Sequence, residues 1–487
     1  MTRPLLLILF AAPLAAIVLS LALRRSRVSE YATVAAALVD LAVSVPLLMG
    51  ALHERLIFAH EYIQVDTLSA WVILCISIVY SLSSIYAVGY MRLLNEDDRL
   101  PLFYALFSGF AATMLAACVM NNVGVFWIAI ELTTLISTFL VGFEREAEST
   151  EAAWKYIVVV SGGISLALLG TVFFYWGGSF VLGPSYAMTW AALHHSAPAV
   201  YPPLLLVSFL LVLVGYGTKA GLAPMHTWLP DAHSESPAPV SAMLSGALLN
   251  TSMLGIARFL GVVHGTSITQ FAHSAVVALG IFSFVIASLF IVRQTGIKRL
   301  MAYSSVEHIG VIALGLGFGG LLGIAGSLYH MLNHSLNKSL MFFGSGNAMR
   351  AYGTKEIQGI RHVLKIFPVS GTLWLLGAVG IAGAPPFALF VSEFTILRAG
   401  IGGRYRWAAL IFIVFLIVVF IGFMAHFRAM YFDEASDKEI VPMPWTVWRT
   451  LPMWLAFTPL LVLGLWWPHG LWNLFAQIAT EMTGGAQ

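Results

Sequence analysis

Cysteine is nearly absent from the 487 residues: Cys75 and Cys118 are the two, each inside an apolar run. Two isolated thiols cannot hold a cysteine-ligated iron-sulfur cluster or a CxxC metal site, so any redox centre must sit in another chain. Charge is scarce as well. Only 10% of the residues are Asp, Glu, Lys or Arg, the formal net charge is +2, and no basic block suggests nucleic acid. Strand-like alternation is also missing. No stretch has the composition of a separate soluble domain.

What remains is apolar. Hydrophobic residues make up 59% of the chain, and the mean hydropathy is +0.87, far outside the range of soluble domains. Runs of about 20 apolar residues, enough to cross a hydrocarbon layer of roughly 30 Å, recur along the whole length. They predict an all-α polytopic membrane protein of about fourteen helices. The segments fall near 4–23, 32–52, 67–90, 101–120, 122–142, 153–176, 203–222, 239–262, 272–292, 301–318, 322–346, 369–398, 407–430 and 450–475. The first has too long an apolar run for a signal peptide and reads as a retained helix.

Basic residues test that count, because cytoplasmic loops carry the Lys/Arg excess. Alternating the connections puts seventeen of the 25 Lys and Arg residues on one side, Lys298, Lys355 and Lys438 among them, and six on the other. Lys219 and Lys338 fall within spans. Both termini are then expected to face the periplasm, as is the 177–203 connection, which lacks Lys and Arg. The basic loop from Arg350 to Lys365 reads as a cytoplasmic topology signal or as a docking surface for a soluble partner.

Two segments are interrupted. The seventh carries Lys219 beside Gly221 and Pro224, and the twelfth carries Gly380, Gly383, Pro385 and Pro386 ahead of Glu393. Paired breaks of this kind point to a transport site between inverted repeats. The expected organisation is 1–100 for helices 1–3, 101–262 for the first five-helix repeat, 263–430 for the second, and 431–487 for the last helix.

An ionisable side chain at mid-membrane costs roughly 2.5–3.5 kcal/mol on insertion scales, so each one retained suggests compensation or use. Glu131 lies midway along the fifth segment, Lys219 in the seventh and Glu393 in the twelfth. His330, His334 and Lys338 stand at i, i+4 and i+8, which puts them on one face of the eleventh. These six are the proton-transfer candidates; for Glu131 and Lys219 the other reading is a static buried ion pair, and for the stripe it is satisfied polar packing. A metal site is not expected, because His at i and i+4 with no carboxylate or Cys on the same helix is an incomplete ligand set.

Auxiliary candidates carry two readings each. Lys155 is a cytoplasmic anchor or a modulator of Glu131. His226, Asp231 and His233 form a structural turn network or assist transfer. Glu307 and His308 open the tenth helix as caps or as a proton entry. Asp40 predicts a helix-helix hydrogen bond, and Asn250 lies where a charge would be useful. The run Gly315-Leu-Gly-Phe-Gly-Gly320 matches GxGxxG but follows no strand, so it marks close helix approach or a turn, not a nucleotide site.

Together FYALFSGFAATMLAA, WIAIELTTLISTFLVGF, TKAGLAPMHTWLPDAHSESPAPVSAMLSG, IKRLMAYSSVEHIG, HMLNHSLNKSLMFF and GAPPFALFVSEFTIL resemble the antiporter-like subunits of respiratory complex I, membrane-bound [NiFe] hydrogenases and Mrp-type sodium/proton antiporters, over roughly 65–430. The resemblance implies two inverted repeats and a central polar axis. It also implies proton translocation in the bacterial inner membrane, driven by redox chemistry in partner subunits that carry Fe-S, NiFe or flavin centres. It makes Glu131 and Lys219 the first pair, Lys338 the central lysine and Glu393 the exit. Asn250 departs from the family's usual Lys or His, so transfer past it would use water or His330 and His334. That residue, the Glu-Ser-Pro-Ala-Pro-Val-Ser turn and the short C-terminal end are most like the hydrogenase-4 component F branch. Alternative readings are a cation/proton antiporter subunit without a redox partner, a non-pumping assembly subunit, or quinone or inorganic-carbon chemistry.

Overall fold

The computed structural model describes residues 2–59, 62–94, 97–433 and 446–483; Lys438, one of the basic residues in the orientation tally, lies outside them. The first membrane helices are α1 (Thr2–Leu23), α2 (Ser26–Ala51), α3 (Thr67–Met91), α4 (Leu100–Val119), α5 (Val123–Val141), α6 (Ala147–Leu182) and α7 (Pro202–Ala220). A short α8 (Trp228–Glu235) follows the first break. Next come α9 (238–262), α10 (Thr269–Val292), α11 (Ile297–Phe318), α12 (Gly320–Tyr352), α13 (Pro368–Ile381), α14 (Ala388–Gly402), α15 (Arg406–Phe432), α16 (Val447–Leu465) and α17 (His469–Met482). A two-stranded hairpin, β1 (Leu56–Ile57) with β2 (Gln64–Val65), lies between α2 and α3.

Among the described residues, twelve helices are long and apolar enough to cross a membrane. The two remaining expected spans miss that test for physical reasons. α12 runs 33 residues but is too polar along its buried face, and the twelfth span is split into α13 and α14, of 14 and 15 residues. Fourteen segments are thereby accounted for.

Several boundaries move. α6 extends to 36 residues and takes up part of the expected 177–203 loop, which also holds a short helix, Trp190–Ser196. The expected last helix divides at Trp466–Pro468 into α16 and α17. α11 begins at Ile297, so Glu307 and His308 lie three turns inside it and are not caps. Asp40 is buried with both carboxylate oxygens lacking a hydrogen-bond partner, so the expected interhelical bond is not formed.

Close packing fixes the helices that carry charge. A Cβ on Gly215 of α7 would stand 2.5 Å from the Ala167 backbone nitrogen of α6, and one on Gly310 of α11 would stand 2.8 Å from the Gly280 carbonyl of α10. Small residues let backbones meet at such distances where lipid supplies no hydrophobic drive between helices. The Gly315–Gly320 run serves the same end: a Cβ on Gly315 would lie 2.8 Å from the Gly323 carbonyl, and Gly319 and Gly320 turn the chain with positive φ.

Local chemistry sets the helix ends. Asp66 caps α3 by accepting from the Ser69 amide at 2.9 Å, and Asn122 caps α5 through the Gly124 and Val125 amides. Both use a short polar side chain to satisfy orphan N–H groups. α7 stops at Gly221, whose φ of +79° suits the left-handed cap.

Candidate functional site

The first cluster joins α5, α6 and α7. Lys219, fully buried, donates to Thr134 Oγ1 at 2.8 Å and to Tyr156 OH at 3.0 Å. Thr134 Oγ1 in turn lies 3.4 Å from Glu131 Oε2, and Ser161 Oγ donates to Glu131 Oε1 at 2.5 Å. Glu131 and Lys219 are therefore linked through a hydroxyl and are not a direct ion pair. A hydroxyl that both accepts and donates can pass a proton between two such groups.

The second cluster joins α11, α12 and α14. Lys338 donates to the Met301 carbonyl at 3.0 Å and to Ser304 Oγ at 2.8 Å. His308 Nδ1 meets His330 Nε2 at 3.0 Å, and His330 Nδ1 meets Ser392 Oγ at 2.9 Å. Glu307 Oε2 lies 3.3 Å from His308 Nε2, and Glu393 Oε1 lies 3.9 Å from His308 Nδ1. Both Glu307 oxygens, Glu393 Oε1 and both His334 ring nitrogens are buried without hydrogen-bond partners. Such orphans are costly in a dry interior and mark where mobile protons or water would be satisfied.

Asn250 spends its amide N–H groups on the Gly246 and Met331 carbonyls and on Ser335 Oγ, at 3.1, 3.2 and 2.9 Å. It follows a five-residue π-helical segment, Leu244–Leu248, a wider turn common at functional positions. His233 of α8 is fully buried, and its ring lies 5.6 Å from that of Phe342, one turn beyond Lys338 on α12. On its other side its ring is 6.1 Å from Trp228, which packs at 4.9 Å on Tyr156, the phenol that holds Lys219. His233 thus stands between the clusters, a place assigned from sequence to His330 and His334.

Other auxiliary residues sort differently. Lys155 pairs with Glu151 at 2.5 Å and Asp231 at 3.5 Å, not with Glu131, while Arg299 reaches Asp231 at 3.0 Å. Asp231 thereby ties α6, α8 and α11 as part of a structural network. His226 stacks edge-on against Tyr303 at 6.2 Å. Lys355 from the basic loop pairs with Glu235 at 2.6 Å and Glu146 at 3.6 Å. The hydroxyls of Thr134, Tyr156, Ser161, Ser304 and Ser392 were not anticipated; Thr134 and Ser304 stand three residues from Glu131 and Glu307, a spacing that could have found them.

The second break serves the second cluster. Gly383 has φ +73°, and a Cβ on it would stand 2.4 Å from Glu393 Oε2. Gly353 has φ +62° with nothing within 4 Å. Alanine at either position meets left-handed strain of about 1–2 kcal/mol, but only Gly383→Ala displaces a carboxylate. Thermal unfolding should fall for both variants, and ion transfer only for Gly383→Ala; equal transfer rates in the two would refute a role for this contact.

The family model described as NADH:quinone oxidoreductase/Mrp antiporter, transmembrane, matches residues 120–421. A hydrogenase-4 component F homolog from Methylacidiphilum infernorum is 38% identical over 305 residues, which cover 62% of this chain and 64% of that protein. Hydrogenase-4 component B of Escherichia coli is 30% identical over 349 residues, covering 69% and 50%. The chain thus spans between half and two thirds of the length of these two relatives. Its fold matches a chain of the archaeal membrane-bound sulfane sulfur reductase with a TM-score of 0.88 at 22% identity, covering 98% of this chain and 97% of the other. With the family model spanning well over half of its length, this chain belongs to the NADH:quinone oxidoreductase/Mrp antiporter transmembrane family.

Proposed function

We propose that this chain is the proton-translocating membrane subunit of a complex-I-like or hydrogenase-4-like oxidoreductase. The observation that carries the reading is the pair of buried clusters, Glu131–Thr134–Lys219 and Lys338–Glu307–His308–Glu393, with His233 between them. Redox energy arriving from hydrophilic partner subunits shifts the balance between Glu131 and Lys219. The proton on Lys219 then moves past His233 to Lys338 and leaves through the His308, His330 and Glu393 group. Oxidation and reduction take place on centres in those partners, in the bacterial inner membrane. The two breaks support a division into inverted repeats at 101–262 and 263–430, and the Lys/Arg bias of the connections supports periplasmic termini.

A second reading, a subunit of a cation/proton antiporter, is favoured by the family's shared description with Mrp antiporters. Vesicles containing the assembled complex separate the two. Acidification of the lumen on adding electron donor, with no exchange under an imposed sodium or proton gradient alone, is the expected result. Exchange without donor would overturn the redox-coupled reading in favour of the second one. In the same vesicles, a cysteine placed beside either terminus should react with an impermeant reagent only from the periplasmic side.

A further inference from the structure

We propose that His308, His330 and Glu393 form a binding site for one divalent transition-metal ion of the zinc class, and that loading it halts ion transfer. The blocking effect rests on the proton-axis reading above; the binding does not. Three helices converge here: His308 from α11, His330 from α12 and Glu393 from α14. One donor atom from each lies within 4.8 Å of the other two. The sequence supplied two histidines on one helix and no carboxylate; the fold supplies a different set.

The geometry suits the ion. Zinc bonds of about 2.0–2.2 Å in a tetrahedron hold neighbouring donors roughly 3.4 Å apart. The observed 3.0 Å between His308 Nδ1 and His330 Nε2 and 3.9 Å between His308 Nδ1 and Glu393 Oε1 bracket that spacing. Small side-chain rotations complete it.

An independent observation points to a ligand. Glu393 is 3% exposed, its Oε1 has no hydrogen-bond partner, and that oxygen lies 3.9 Å from His308 Nδ1. The supporting contacts also resemble those of a metal site, where the second imidazole nitrogen is usually fixed by a hydrogen bond. His330 Nδ1 is held by Ser392 Oγ at 2.9 Å, and Ser392 is the neighbour of Glu393. Two imidazoles with one carboxylate suit zinc, cobalt or nickel, whereas calcium, magnesium and sodium prefer all-oxygen sets. A fourth position is left for water.

A bound ion takes up His308, His330 and Glu393 together and sets a double positive charge two turns from Lys338, about 12 Å along α12. A proton leaving Lys338, which is held by Met301 O and Ser304 Oγ, then finds His308, His330 and Glu393 already taken and a positive charge in its way. Onset is slow, because all three ligands are at most 3% exposed.

The test uses the purified, chelator-treated complex. Zinc titrated against a chromophoric chelator should bind at one ion per chain. Cobalt should give the intense visible band of a four- or five-coordinate nitrogen/oxygen site, lost on adding zinc. His330→Gln and Glu393→Gln should each weaken zinc binding by more than the roughly 10–100-fold that loss of a supporting contact costs, while His195→Gln, at an exposed position, should not. Should either ligand variant fail to assemble, the cobalt spectrum of the unaltered complex decides: a weak octahedral spectrum or none overturns the site. Undiminished zinc affinity in an assembled His330→Gln complex does the same. Zinc binding in a complex that translocates nothing when metal-free upholds the site and removes only the functional reading.

Discussion

Lys219→Ala should reduce donor-driven proton uptake to the passive leak while leaving the complex assembled. Assembly survives because the groups left behind keep other partners: Tyr156 OH retains Ser137 Oγ at 2.7 Å, and Thr134 retains Glu131. Lys219→Arg sharpens the test. Arginine keeps the positive charge and the donors but does not release a proton in a protein. If Lys219 were only a buried cation that fixes packing, Arg would restore function; as a proton carrier, it should leave uptake at the leak. Restored uptake in Lys219→Arg would remove Lys219 from the relay.

Arg258→Ala should destabilise the protein by about 3 kcal/mol, the lower end of the cost of stranding one partner of a buried ion pair, because the Arg258 side chain is itself 17% exposed. Arg258, near the end of α9, donates through both terminal nitrogens to Asp66, with Nη2 to Oδ1 at 2.7 Å, and also to Ser69 Oγ at 2.7 Å. Asp66 is the cap of α3, so one carboxylate both ends a helix and receives a guanidinium. Burial alone would raise its pKa; the Arg258 charge and the Arg258 and Ser69 hydrogen bonds outweigh that and hold it below the usual carboxylate value. The sign follows. A depressed native pKa contributes stability above the unfolded value of about 3.9, and that contribution fades as pH falls below it. Thermal unfolding of the wild type should therefore weaken from about pH 4 downward more than that of the Asp66→Asn, Arg258→Met double variant. The double variant should also be less impaired at neutral pH than Arg258→Ala alone. A single variant as stable as the double one would show that the pair is not coupled.

Much of the fold was legible because a bilayer asks for long apolar runs and little else. The spacing of His330, His334 and Lys338 alone places a polar face on α12. What was missed depended on how buried polar groups find partners across helices. Lys298 read as a loop residue, but it is 3% exposed and its ammonium is satisfied by the Ser236 carbonyl, so α11 starts earlier and carries His308 to the centre. Asn250 could not be seen to spend its amide on the α12 backbone. Nor does spacing along one helix reveal a carboxylate, such as Glu393, that arrives from another helix.

The two breaks also act as fixed partial charges. A helix that stops within the bilayer presents its C-terminal carbonyls, the negative end of a macrodipole worth about 0.3–1 kcal/mol to a nearby cation and up to ~2 kcal/mol when partly buried. Lys219 sits in the last turn of α7, where Trp228 caps the Thr218 carbonyl at 2.8 Å. In α13 the last turn presents the Gly377 carbonyl to Asn337 at 3.0 Å. These helix ends belong to the backbone and do not titrate. Replacing Glu131 or Glu393 by Gln would change a side chain yet leave both helix ends, and the carbonyls they present to Trp228 and Asn337, in place.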